Sequence, residues 1–211
     1  PSAAFVLSLG LTLAFAGARK ASGADASSPL HELEIRLDPS AGTIVAVDRI
    51  EIGSATPAFR IHRGLVVPEV EAYGSDATER LRRNEGDARS DLATYTFSGE
   101  SRPRRIVVRY GGTLSPGPGR PGDRPTAVIG GDLALLPATA GYYPLLQAST
   151  SRFSVSLHLP PGSSVVATAG DVSGGDRTHH TITASAPEAG LTLAALLAPV
   201  TTVASSGVPS I

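Results

Sequence analysis

The 211-residue chain carries 18 Lys+Arg against 19 Asp+Glu, a formal charge of −1, so it lacks the basic surface that displaces counterions from nucleic-acid phosphates. It has no Cys, which excludes disulfides, thiolate nucleophiles and thiolate-held metals together. With 23 Gly, 17 Pro and few aromatics, the expected core is aliphatic and the chain is punctuated by turns rather than long helices.

Residues Ala3 to Ala18 are almost wholly apolar. The run is shorter than the roughly 20 residues of a spanning helix. Ala16-Gly17-Ala18 and Ser22-Gly23-Ala24 have the small-x-small form a signal peptidase accepts. Residues 1–24 are therefore read as a signal peptide or, alternatively, as a membrane anchor through residues 3–18. Both readings expect an exported chain: extracellular, periplasmic, or membrane-anchored and facing outward. The missing basic n-region and the absence of any Met fit a fragment. Residues 25–29 read as a linker.

Glu32 to Asp38 alternates strictly, with Leu33, Ile35 and Leu37 on one face, the period of a half-buried strand. Asp38-Pro39-Ser40-Ala41-Gly42 is turn chemistry. The return segment keeps Val45 and Val47 on one parity but Ile50 and Ile52 on the other, which predicts a β-bulge near Asp48-Arg49. Phe59 to His62 and Leu65 to Ala72 predict two more strands, with Pro68 confining the second to an edge or a bulge. Thr78 to Ser90 is charged and reads as an exposed hairpin. Leu92 to Phe97 is expected to pair with Arg105 to Tyr110.

Ser115 to Pro125 is a Pro/Gly-rich loop. Asp132 to Leu136, the Gly141-Tyr142-Tyr143-Pro144 corner and the alternating strand Arg152 to Leu159 follow. In the corner, Pro144 holds Tyr143 extended as an aromatic anchor at a strand entry. Val165 to Ala169, His180 to Ala184 and Leu191 to Val200 complete the count. The fold class is all-β, with antiparallel saddle- or sandwich-like sheets behind the hydrophobic leader. The domain spans residues 30–200, and 201–211 is a linker to an absent domain.

No catalytic motif accompanies these strands. Gly117-Pro118-Gly119-Arg120-Pro121-Gly122 matches G-x-G-x-x-G, but its prolines remove N–H donors and no helix follows to receive a phosphate. His31-Glu32 begins like a His-Glu-x-x-His zinc helix, yet the fifth position is Ile35 and the local period is 2. His179 and His180, adjacent in a strand, point to opposite faces. His62 and His158 sit among polar positions and read as solvated. No G-x-S-x-G elbow occurs. Asp171 to Asp176 lacks the ligand pattern of a calcium loop and reads as a tight hairpin. No catalytic or metal-ligating residue is assigned.

A resemblance comes from the order of several pieces. His31 to Pro39 opens the series, followed by Ile50-Glu51-Ile52, then Leu65 to Val70, then Ile106-Val107-Val108-Arg109-Tyr110-Gly111-Gly112. Tyr143-Pro144 and Phe153 to Pro160 close it. Over about residues 30–200 this resembles the N-terminal β-domain of aminopeptidase-N-like (gluzincin) zinc metallopeptidases of the divergent bacterial type. Tyr110, Gly111, Tyr143 and Pro144 are the family-motif positions, with structural roles.

The resemblance implies a saddle of antiparallel sheets packed on a C-terminal catalytic domain of the same polypeptide, which is absent here. That domain would supply the Gly-x-Met-x-Asn loop and the His-Glu-x-x-His site. No cofactor is expected in this chain, and zinc is expected only in the absent domain, through which alone a peptide substrate would be met. The Thr-Gln-x-Glu segment of the family is missing ahead of Tyr143, and Gly141 stands where divergent members have Trp. The chain alone is expected to be no enzyme, while the intact parent resembles a metallo-aminopeptidase. The rival reading is a free-standing secreted β-sandwich binding or adhesion module.

Overall fold

The computed structural model describes residues 28–53, 55–74, 80–84, 90–98, 103–114, 127–148, 150–174 and 178–197. The leader, the 115–125 loop with its G-x-G-x-x-G match, and the 201–211 segment lie outside the described residues. Within these limits the chain is all-β: fifteen strands and a single 3-10 turn occur among the described residues, with no α-helix.

β1 (Leu30–Asp38) and β2 (Thr43–Glu51) form an antiparallel hairpin across the Asp38-Pro39 turn, where the Asp38 carboxylate accepts the N–H groups of Ser40 and Ala41. The bond from the Ser40 hydroxyl, and after it these backbone bonds, hold Asp38 below the usual carboxylate range. β3 (Thr56–His62), β4 (Leu65–Tyr73), β5 (Arg80–Asn84), β6 (Leu92–Ser98) and β7 (Arg105–Thr113) follow. Then come β8 (Val128–Ile129), β9 (Leu133–Leu136), the 3-10 turn Ala138–Ala140 and β10 (Leu145–Gln147). β11 (Ser151–His158), β12 (Ser164–Ala167), β13 (Asp171–Gly174), β14 (His179–Glu188) and β15 (Leu193–Leu196) complete the chain.

They assemble as a seven-stranded sheet in the order β13-β14-β11-β1-β2-β7-β4, a four-stranded sheet β10-β3-β6-β5 and a second four-stranded sheet β12-β15-β9-β8. Alternation decides the inner face of the large sheet. Leu33, Ile35, Ile44, Ile50, Ile106, Val108, Phe153, Val155 and Ile182 are all buried. Phe59, Ile61 and Tyr95 of one small sheet and Ala134, Leu136, Leu193 and Ala195 of the other join them in one core. Pro68 lies where expected, on an edge strand: β4 closes the large sheet, and its register shifts between Val66 and Glu69. Of Thr78 to Ser90, read from the sequence as an exposed hairpin, the described part is one strand, Arg80–Asn84, whose partner β6 lies beyond that stretch; β13 pairs with β14 as the hairpin expected from Asp171.

Four sequence expectations are corrected. β2 carries no bulge, because it pairs in unbroken register with β1 and β7 along its whole length. Its buried parity is Ile44, Ala46, Asp48 and Ile50, and Val45 faces outward at 59% exposure. The apparent slip arose from assigning Asp48 to solvent. Secondly, β6 pairs with β3 and β5 rather than with β7, whose continuous apolar stretch sits between the nine-residue strands β2 and β4. Thirdly, the large sheet is mixed: β1 and β11 run parallel, His31 opposite Phe153. Finally, His62 is buried rather than solvated, its Nδ1 accepting the Gly64 N–H.

Candidate functional site

The sequence-picked Tyr110, from β7, and Tyr143, from the corner before β10, meet at one buried polar cluster. β1 sends His31 inward on the parity of Leu33 and Ile35, and β2 sends Asp48 inward beside it. His31 lies opposite Ile50, so Asp48 is its diagonal neighbour, and the His31 Nδ1–Asp48 Oδ2 separation is 2.7 Å. Both side chains are sealed off, at 1% and 0% exposure. The His31 ring stacks on Phe153 at 5.2 Å and meets the edge of Tyr143 at 5.5 Å.

Tyr143 is placed by the corner that precedes β10. The 3-10 turn ends on Gly141 in the left-handed region at φ 69°, a conformation that glycine takes without strain. A Cβ there would meet Leu92 Cδ2 at 2.4 Å. The Gly141 carbonyl accepts the His62 N–H, pinning the corner to β3. Beyond it Tyr142, Tyr143 and Pro144 are all buried. Tyr142 donates to the Leu191 carbonyl at 2.8 Å, the Tyr143 hydroxyl accepts the Leu191 N–H at 3.3 Å, and the two rings meet edge to face at 4.8 Å. Leu191 lies just before β15, so the corner fastens all three sheets together.

Tyr110 comes from β7 on the inward parity, and its hydroxyl has no hydrogen-bond partner; neither has Asp48 Oδ1. Burial, then the Asp48 carboxylate and the two corner tyrosines, push the Tyr110 phenol well up. Tyr142 is raised well up chiefly by burial, and burial takes Tyr143 to about 12. Gly111 faces the other side of the sheet, where a Cβ would approach the Ile44 carbonyl at 3.1 Å. The structure thus unites Tyr110, Tyr143 and Pro144 in the interior and separates Gly111 from them. His31 and Asp48 were missed in the sequence. The available signal was parity, since each is the polar member of an otherwise apolar face.

Two predictions follow from this cluster. Tyr110→Phe removes a buried hydroxyl that bonds to nothing, so its melting temperature is expected to be no lower than that of the parent, since an unmade buried bond costs about 1–3 kcal/mol. A thermal melt followed by circular dichroism checks this. The phenols also set an alkaline limit. Their folded pKa values lie above those of the unfolded chain, so the stability they contribute is intact below about pH 10 and lost as pH climbs toward 12. At least three of the five tyrosines are expected to ionise, by absorbance, together with loss of the β circular dichroism signal.

The cluster cannot reach a substrate. The recess beside it, lined by His31, Tyr143 and Phe153 among others, holds about 40 Å³, room for a water or two. The outer face of the large sheet carries a second polar group: Ser156 Oγ lies 2.6 Å from His179 Nε2, and His179 stacks on His158 at 4.8 Å. Glu34 approaches His158 at 3.9 Å. His180 points to the opposite face, as the strand period requires. A broader cleft of about 580 Å³ lies at one end of that sheet, with Arg104, Arg105, Arg152 and Glu51 on its walls. Among the described residues no group of three or more His, Cys, Asp or Glu could hold a metal ion, and no helix is long and apolar enough to cross a membrane.

No protein-family profile matches the sequence, and no curated protein matches it by sequence. Solved structures do match the fold. An M1 zinc metallopeptidase variant from Deinococcus radiodurans, bound to a Tyr-Ser-Ala substrate, is 17% identical with a TM-score of 0.55, covering 79% of this chain and 41% of that one. The M1 zinc metallopeptidase of the same organism without that change gives 16% and 0.53 over the same shares. Yeast leukotriene A4 hydrolase in complex with bestatin gives 13% and 0.51, covering 79% of this chain and 28% of that one. The chain therefore carries an all-β fold that M1 zinc metallopeptidases use for part of their length, and it spans about two fifths of the Deinococcus enzyme.

Proposed function

We propose that this chain is the non-catalytic N-terminal β-domain of an exported zinc aminopeptidase-like protein, shaping which peptides reach a catalytic domain outside this sequence. One observation carries the reading: the three-sheet fold matches M1 metallopeptidases over 79% of this chain yet only 41% of theirs. Two further features support it. The sealed His31–Asp48–tyrosine cluster ties the large sheet to the corner before β10 and to Leu191 just before β15, and has the character of a scaffold rather than a reaction site. The outer face of the large sheet carries ion pairs, Arg105–Glu32 at 3.5 Å and Arg109 between Glu69 and Glu71, which suit the border of a water-filled cleft, beside an exposed apolar row of Val45, Gly111 and Val66.

Extending the reading frame downstream tests this. A continuation with His-Glu-x-x-His and a Glu about 18 residues later, the spacing for zinc held from two helices, is expected. A continuation without it removes the peptidase assignment and leaves the binding-module reading in its place.

A further inference from the structure

The broad cleft at the end of the large sheet carries three guanidinium groups and one carboxylate on its walls, although the whole chain has a formal charge of −1. Register builds it. Arg152, Leu30, Glu51 and Arg105 stand in one outward row across β11, β1, β2 and β7. Arg152 and Arg105 are three strand steps apart, about 14 Å at a spacing of about 4.8 Å, so they flank the row. Arg104 immediately precedes β7 and its backbone is held on both sides. Its N–H donates to the Tyr73 carbonyl at 2.9 Å, and its carbonyl accepts the Ile52 N–H at 3.0 Å. The Arg152 N–H donates to the Pro29 carbonyl at 2.8 Å. The stems of these side chains are thus anchored in advance of any ligand.

The charges do not cancel locally. Glu51 is the cross-strand partner of Arg105, and Glu32 approaches the same guanidinium at 3.5 Å, so both carboxylates fall to one arginine. Arg104 and Arg152 form no ion pair among the described residues, and Arg152 Nε is buried without a hydrogen-bond partner. A buried donor left unmade, beside two unanswered cations, points to an anion that the chain itself does not supply. We infer that the cleft binds a tetrahedral oxyanion of the phosphate class, held by Arg104 and Arg152. The class follows from the donors. One guanidinium fork fills both oxygens of a carboxylate, whereas a phosphate offers more acceptor oxygens and up to two charges to guanidiniums arriving from different strands. The site uses only residues of this chain and stands whether or not a peptidase domain follows. Its ligand is either free in solution or the phosphodiester of an anionic lipid headgroup. Ser28, on the cleft wall, is separated from the apolar run Ala3 to Ala18 by residues 19–27. That is at most about 35 Å of extended chain, so a membrane holding the run would be within reach.

Calorimetric titration of the 211-residue chain with inorganic phosphate tests the site, with acetate at equal ionic strength as the carboxylate control. Phosphate is expected to saturate one site. It is expected to bind at least about tenfold more weakly to Arg104→Gln and to Arg152→Gln, since each removes charge-assisted bonds. Arg109→Gln, on the same face but already paired with Glu69 and Glu71, is expected to leave binding unchanged. Arg104 is exposed, so its variant decides the question even if Arg152→Gln fails to fold. Vesicles identify the source. Sedimentation with phosphatidylcholine vesicles that rises when phosphatidylglycerol is included, and loses that rise in Arg104→Gln, supports the site and assigns a lipid headgroup. Equal sedimentation with both vesicles, beside saturable phosphate binding, supports it and assigns the free ion. Neither saturable phosphate binding nor a phosphatidylglycerol response overturns the inference. Equal affinity for acetate, or an Arg104→Gln variant indistinguishable from the parent, overturns it as well.

Discussion

Replacing His31 by leucine is expected to destabilise the fold by about 3–5 kcal/mol, the cost of leaving a buried charge without its partner. Asp48 sits at 0% exposure, one carboxylate oxygen is unpartnered, and the other has only the imidazole Nδ1 at 2.7 Å. The surrounding Leu33, Ile50 and Phe153 carry no side-chain donor, and the Tyr110 hydroxyl, itself unpartnered, does not bond Asp48 in this structure. A chain of this size has a total stability on the order of 5–15 kcal/mol, so the single change removes a large part of it. The double variant His31→Leu with Asp48→Leu removes donor and acceptor together and is expected to recover most of the loss, because a buried ion pair often exchanges for apolar residues at little net cost. Urea denaturation of the two single and the double variants measures the cycle. Additive losses in the double variant would show that the pair is not what makes the single change costly.

The second large effect lies at the corner. Tyr142→Ala is expected to cost about 3–5 kcal/mol, since it empties the volume of a fully buried aromatic. It also strips the edge contact from Tyr143 and orphans the Leu191 carbonyl. Tyr142→Phe keeps the ring and loses only the hydroxyl, with an expected cost nearer 1 kcal/mol. The difference between the two, from chemical denaturation, separates packing from the hydrogen bond that ties the corner to β15. Near-equal costs would mean that the ring itself carries little.

What could be read from the sequence divides along a physical line. Period-2 alternation states which residues share a face, and the faces of Leu33–Leu37 and Phe153–Leu159 stand as read. Alternation does not state which strand lies alongside. Leu92–Phe97 therefore went to the wrong neighbour, and the parallel contact of β1 with β11, separated by more than a hundred residues, was invisible. Asp48 shows the other limit. An aspartate at an apolar parity looks like a register slip until the histidine that satisfies it, seventeen positions earlier, is known to be adjacent. Tyr143-Pro144 was legible as an anchor because a proline restricts the residue before it wherever the chain goes. Its partners, His31 and Leu191, come from distant parts of the chain, and nothing local says that they meet Tyr143.

The most direct measurement of the central claim compares hydrolysis of aminoacyl-anilides by this 211-residue chain and by the full gene product, each with and without added zinc. The account predicts turnover by the zinc-loaded full product and none above background by the chain alone. Turnover by the isolated chain, or its absence from a zinc-loaded full product, would contradict it.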